Sequence, residues 1–217
     1  MRNFAEKAKP VAEQVVSRRQ VEVITRPMRD LDVRLQLHAM LASTFRNDPS
    51  TVIFDELGIC QGAIRVDVAA VNCDLYGYEI KAAADTLKRL DNQVTGYGRV
   101  LDFAALVMAP KHLSAAKLRS PGWWGLYVAH EDKGGMVIDQ DRAPTRNLDI
   151  NVRSLAELLW HSETLQLLTE RSAARGLASK PRAQAWDRLC DVYTLDEIRN
   201  LVRRRLKERL ATRSGSL

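Results

Sequence analysis

No run of this chain is apolar enough to cross a bilayer, which takes roughly 18 consecutive apolar residues. The N-terminal stretch MRNFAEKAKPVAEQVVSRR also lacks the apolar centre of a secretory signal. Both absences point to a cytoplasmic protein. Cysteine is scarce and odd in number: Cys60, Cys73 and Cys190 form no CxxC pair and stand at no metal-ligand spacing. A disulfide framework is excluded, and a chain of 217 residues can bury a core without one. Histidine occurs only at 38, 112, 130 and 161, with no HExxH. Zinc chemistry is therefore not expected, and any metal should be a hard cation held by carboxylates. Internal repeats and low-complexity segments are missing as well.

What is present is charge, unevenly spread. Of the net +6, residues 151–217 supply most, with 13 Lys/Arg against 8 Asp/Glu, while residues 1–150 carry 20 against 19. A basic last third suggests a polyanion partner, most often nucleic acid, against the simpler reading of a solvated surface. In RNLVRRRLKERL, Arg199, Arg203, Arg204 and Lys207 are placed to meet phosphate, while Ile198, Leu201, Val202, Leu206 and Leu210 form an apolar face.

The chain divides into an N-terminal extension (1–29), a core (30–141) and a basic helical C-terminal module (142–217). A short helix is expected around Ala12–Arg18. Asp30 reads as the N-cap of a helix whose apolar face includes Leu31, Leu35, Leu41 and Phe45 and which stops near Asn47-Asp48-Pro49. TVIFDELGIC, AIRVDVAAV and LYGYEIKA read as a three-strand meander, broken at Gln61-Gly62 and Asn72-Cys73-Asp74. A helix follows with Asp85 at its N-cap and Leu87, Leu90, Val94, Tyr97 and Leu101 on one seam. AALVMAP is a continuously apolar strand, able to run parallel to a neighbour through that crossover, and WWGLYVAHE with GMVIDQD forms a late hairpin. Three helical segments close the chain: SLAELLWHSETLQLLTER, with Ser154 and Glu157 as a capping box, then KPRAQAWDRLCDVY and LDEIRNLVRRRLKERL. Trp123, Trp124, Trp160 and Trp186 read as packing residues. The fold class is α/β.

The stretch RVDVAAVNCDLYGYEIKA places Asp67, Glu79 and Lys81 in otherwise apolar strands. Period-two alternation puts Glu79 and Lys81 on one face. A two-residue turn at Gln61-Gly62 makes paired positions sum to 123 and sets Glu56 opposite Asp67. For the second turn, a two-residue loop at Cys73-Asp74 would set Asp67 opposite Ile80, on the other face, whereas the preferred loop at Cys73-Asp74-Leu75 sets Asp67 opposite Lys81 and diagonal to Glu79. Three carboxylates and one ammonium then converge, with an excess negative charge that a divalent cation would neutralise. Mg²⁺ suits one or two carboxylates plus water and phosphate. A plain salt-bridge cluster is the competing account.

These residues resemble the PD-(D/E)XK nuclease superfamily: an Asp in RVDVAAV, then Glu-x-Lys in YEIKA, within a helix–three-strand–helix–strand order. QVTGY, Gln93 to Tyr97, resembles the Gln-xxx-Tyr feature of some members, and the stretch from 28 to 130 resembles a bacterial family of poorly characterised members. No proline precedes Asp67. The resemblance implies a restriction-endonuclease-like core and a metal-dependent (endo)deoxyribonuclease using Mg²⁺ or Mn²⁺, with DNA as partner and a homodimer compatible. It implies Asp67 and Glu79 as metal ligands with the Ile80 carbonyl as a third, Glu56 completing the site, Lys81 acting on the attacking water or phosphate, and Gln93 and Tyr97 positioning them. Tyr97 also sits on the apolar seam, where packing alone explains it. Two other readings are a non-catalytic nucleic-acid-binding protein on the same fold, and a hydrolase using Glu56 and Asp67 as an acid/base pair.

Overall fold

Helix α1 (Asp30–Thr44) buries Val33, Leu37 and Leu41, a strip one turn apart along its length. Leu31 and Leu35, expected on the buried face, are instead 56% and 63% exposed. The face turned to the protein must also carry Arg34 and His38, whose polar ends reach Asp55, and that requirement selects the strip. The N-cap is Arg29 rather than Asp30, and its N–H donates to the Asp32 carboxylate. The computed structural model describes residues 28–214, with side chains through Leu210, so the expected Ala12–Arg18 helix lies outside the described residues.

Six strands form one sheet in chain order: β1 (Val52–Ile59), β2 (Ile64–Val71), β3 (Leu75–Lys81), β4 (Phe103–Met108), β5 (Gly125–Asp132) and β6 (Gly135–Arg142). The expected meander β1–β2–β3 is antiparallel, β3–β4–β5 are parallel, and β5–β6 is the late hairpin. Two crossovers make the parallel part. Helix α2 (Leu90–Val100) joins β3 to β4, and α3 (Leu113–Arg119) joins β4 to β5. Helix α3 has no counterpart in the sequence reading. It spans two turns and buries only Ala116, too little for a helical period to show. Helix α2 begins at Leu90, not after Asp85. The Asp85 carboxylate instead accepts from Ala82 N at 2.8 Å and closes the turn leaving β3.

The first hairpin keeps the expected register, from Val52↔Val71 to Ile59↔Ile64. Its turn has positive φ at Gln61 (58°) and Gly62 (88°), closed by Ala63 N on Cys60 O, which is type I′ geometry suited to strand twist. The second register is corrected. Val71↔Leu75 and Val68↔Tyr78 leave Asn72-Cys73-Asp74 as the loop, so Asp67 lies opposite Glu79, two positions from the expected Lys81. A shift of two preserves the face, so the three charged residues still converge.

One face of the sheet packs on α1 through Val68, Tyr78, Ile80, Val107 and Ala129. The other face carries the larger core, where Tyr97, Leu101, Leu106, Met108 and Trp124 meet the C-terminal helices. Those helices are α4 (Val152–Ala156), α5 (His161–Glu170), α6 (Arg182–Val192) and α7 (Leu195–Ser214). They supply Leu155, Leu159, Leu168, Trp186, Leu189, Ile198, Val202 and Leu206 to the same apolar cluster, so the basic third shares its core with the sheet. SLAELLWHSETLQLLTER is two helices, not one. Asn151, not Ser154, caps α4, and Glu163 bonds Trp160 N at the start of α5. Trp124 and Trp186 are buried, whereas Trp160 is 58% exposed under the Arg209 guanidinium. Among the described residues no helix is long and apolar enough to cross a membrane.

Candidate functional site

The β1–β2 ladder pairs Asp55 with Val68 and Leu57 with Val66 but skips Glu56 and Asp67 between them. Glu56 has φ 62°, a left-handed backbone that few side chains adopt without cost. Alternation breaks here. Val68 packs on the α1 side while Val66, two residues away, packs on the α2 side. Asp67 therefore points along the sheet toward β3, where its Oδ2 accepts from Ile80 N at 2.7 Å. Its Oδ1 has no partner among the described residues.

Glu79, on β3, is 1% exposed. Its Oε1 accepts from Lys81 Nζ and Gln93 Nε2, and its Oε2 from the Tyr97 hydroxyl at 2.6 Å. Lys81 is 4% exposed. Gln93 and Tyr97 stand one turn apart on α2, which approaches closely because residue 96 is glycine: a Cβ there would lie 2.2 Å from Ile64 Cδ1. The packing reading of Tyr97 also holds, since its ring stacks on Trp124 at 5.2 Å. One side chain thus packs in the core and hydrogen-bonds Glu79. Burial pushes the Tyr97 hydroxyl well above its usual value, aided by the Glu79 carboxylate, so it donates rather than ionises.

Asp67, Glu79, Ile80, Lys81 and Gln93 line one open cavity of ≈ 500 Å³. Burial, with repulsion from Glu79, raises the Asp67 carboxyl to about 7. Glu56 lines the same cavity, but its carboxylate is taken by Arg34 Nη2 and Arg65 Nη1, each at 3.2 Å. The three expected carboxylates thus share one cavity, with Glu56 turned to arginines. Among the described residues no three His, Cys, Asp or Glu side chains are grouped to hold a metal. The sequence reading missed Arg34, which meets Asp30, Asp55, Glu56 and the Asp67 carbonyl. It also missed Arg89 and Asn92, which line the cavity beside Gln93. The N-cap of α2 is Arg89, four residues after the expected Asp85, and neither Arg89 nor Asn92 stands out in the sequence by type or spacing.

The basic third is largely spent internally. Arg203 Nη2 meets Asp102 Oδ2 at 2.9 Å, Arg199 Nε lies 3.6 Å from Asp102 Oδ1, and Arg209 pairs with Glu163. Arg204, 3.8 Å from Glu208, and Lys207, 3.3 Å from the Ser50 hydroxyl, are held more loosely.

Residues 28–217 match the family described as bacteriophage P4 protein cII. The chain belongs to this family. A relative, "Protein cII" of Enterobacteria phage P4, is 24% identical over 185 residues, covering 84% of this chain and 68% of the phage protein. A solved protein of unknown function from Silicibacter pomeroyi aligns over 70% of this chain and 100% of its own, at 18% identity and a TM-score of 0.39.

Proposed function

We propose that this cII-family protein is a metal-dependent nuclease of PD-(D/E)XK type that hydrolyses DNA phosphodiesters in the cytoplasm, on a restriction-endonuclease-like core. The observation that carries this reading is the placement of Asp67, Glu79 and Lys81 on two adjacent strands at one cavity, with Gln93 and Tyr97 on the same carboxylate. The donor set fits a hard cation. Among the described residues Asp67 Oδ1 has no partner, and three of the roughly four lone-pair sites of Glu79 are used, leaving one. Asp67 and Glu79 would hold Mg²⁺ or Mn²⁺, with the Ile80 carbonyl as the backbone ligand. The bound ion supplies Lewis acidity at the phosphate and a more acidic water. Lys81 places a positive charge where charge develops on the phosphate. Gln93 and Tyr97 fix the Glu79 carboxylate, and Arg89 and Asn92 line the approach. Glu56, committed to two arginines, is a wall of the cavity.

The test is incubation of purified protein with linear, circular and single-stranded DNA in Mg²⁺, Mn²⁺ or EDTA. Metal-dependent cleavage that vanishes in Asp67→Asn is expected. Absence of cleavage, or cleavage that survives EDTA, overturns the reading. A non-catalytic nucleic-acid-binding protein is the second reading. It is favoured by the bonding of Glu79 to Lys81, Gln93 and Tyr97. It expects DNA binding without cleavage. The hydrolase reading loses its acid/base pair, because Arg34 and Arg65 hold Glu56.

A further inference from the structure

The break in the β1–β2 ladder needs a cause. Both strands resume the same register on either side of Glu56 and Asp67, so no residue has been inserted and the turn is not responsible. What replaces the missing ladder bond is a side chain from α1. Arg34 Nη1 donates to the Asp67 carbonyl at 2.6 Å and to Asp55 Oδ1 at 2.9 Å, while Nη2 donates to Glu56 Oε1 at 3.2 Å. Its Nε donates to Asp30 Oδ1 at 3.2 Å and anchors the guanidinium to its own helix. One planar fork thus holds residues 55 and 56 of β1 and residue 67 of β2. With its carbonyl drawn to α1, Asp67 turns its carboxylate the other way, onto Ile80 N and into the cavity.

We infer that Arg34 is the positioning residue of the site: it opens the ladder at Glu56–Asp67 and thereby aims the Asp67 carboxylate at β3. A lysine cannot substitute, because a single ammonium does not span the carbonyl and two carboxylates as a fork does. Among the described residues Arg34 makes no hydrogen bond to Glu79 or Lys81; it reaches the site through Asp67, and through Glu56 at the cavity wall. Its consequence for metal binding rests on the proposed nuclease reading, whereas its effect on the Asp67–Ile80 bond does not.

The test uses the full chain, with amide hydrogen exchange at Ile80 as a readout that needs no metal. In Arg34→Lys and Arg34→Gln, Ile80 should lose protection while Ala69 and Gly77, in the intact ladder, keep theirs. Mn²⁺ affinity by calorimetry should fall about 10–100-fold, the range for losing a group that orients a metal ligand. Arg203→Gln, far along the sheet, should lower the melting temperature and leave Ile80 protection relative to Ala69 unchanged. Folded Arg34→Lys with Ile80 protection at the wild-type level overturns the inference. If Arg34→Gln does not fold, Glu56→Gly decides: it relieves the left-handed residue and removes one carboxylate but keeps the Arg34–Asp67 bond, so Ile80 should stay protected. Loss of protection there would assign the break to Glu56 and overturn the inference. Wild-type protein that binds no Mn²⁺ would refute the metal reading alone, since the exchange result stands without it.

Discussion

Two clusters of charge are buried at opposite ends of β3, and they are built differently. At its start, Asp74 and Asp102 face Arg146, Arg199 and Arg203. Asp102, 1% exposed, also accepts from Leu75 N at 2.8 Å. Cations outnumber carboxylates, and the cluster ties α7 and the segment carrying Arg146 to the sheet. At its end, the carboxylates of Asp30, Glu56, Asp67, Glu79 and Asp85 share a cavity with only Lys81, Arg65 and Arg89, and the Asp67 carboxyl is pushed up to about 7. The first cluster is a clasp: neutralised, hydrogen-bonded and shared between elements far apart in sequence. The second is short of positive charge, and a carboxylate kept where its ionised form is disfavoured marks a functional site better than burial does.

The comparison breaks most visibly in catalysis. Lys81→Met should lower DNA cleavage roughly 10²–10³-fold in a single-turnover assay, and Asp67→Asn at least as much, with both variants folded. Arg203→Gln, in the clasp, should leave the cleavage rate expected of the proposed nuclease unchanged in folded protein.

Stability should show the reverse. Asp102→Ala leaves the partly buried guanidiniums of Arg199 and Arg203 short of a carboxylate and Leu75 N without its acceptor, and should cost about 3 kcal/mol in urea unfolding. Asp67→Asn should be neutral or stabilising at pH 7 in EDTA. If Asp102→Ala costs no more than Asp67→Asn, the distinction between clasp and site is wrong.

The pH profile sharpens the contrast. Folded Asp67 keeps its proton to about 7, whereas an unfolded aspartate releases it near 3.8. Between those values the folded state binds more protons. Its contribution to the stability of the metal-free protein therefore falls as pH rises through the window and levels off above about 7. Thermal melts in EDTA should show this slope in wild type and a flatter one in Asp67→Asn.

The smallest effect concerns the outer edge of the clasp. Arg204→Gln and Lys207→Gln should each flatten the salt dependence of duplex binding by about 0.9 in the logarithmic slope, if each meets one phosphate. Arg199→Gln and Arg203→Gln should not, since Asp102 already holds both side chains. An unchanged slope in the first pair would make the basic third wholly structural.

The order of helices and strands around the site was legible because alternation and turn chemistry act over a few residues. TVIFDELGIC and AIRVDVAAV, joined by Gln61-Gly62, specify the β1–β2 register by themselves, and any three-residue loop between β2 and β3 keeps the parity that brings Asp67, Glu79 and Lys81 together, whether it is the expected Cys73-Asp74-Leu75 or the observed Asn72-Cys73-Asp74. The start of α2 was misjudged because Asp85 is a good capping residue that here closes a turn. The strip α1 would bury was misjudged because Leu31 and Leu35 are as apolar as Val33 and Leu37, and only the sheet chooses between them.

By itself, then, the sequence determined the meander, the parallel crossover through α2 and the meeting of Asp67, Glu79, Lys81 and Gln93 at one cavity. Tertiary structure alone decided that Glu56 is held by arginines, that Arg34 opens the ladder at Asp67, and that Asp102 absorbs much of the charge of α7. The physical reason is range. Strand parity and turn geometry are set by neighbours in the chain, whereas the partner of a buried charge can lie 21, 33 or 101 residues away and is fixed only when the helices pack.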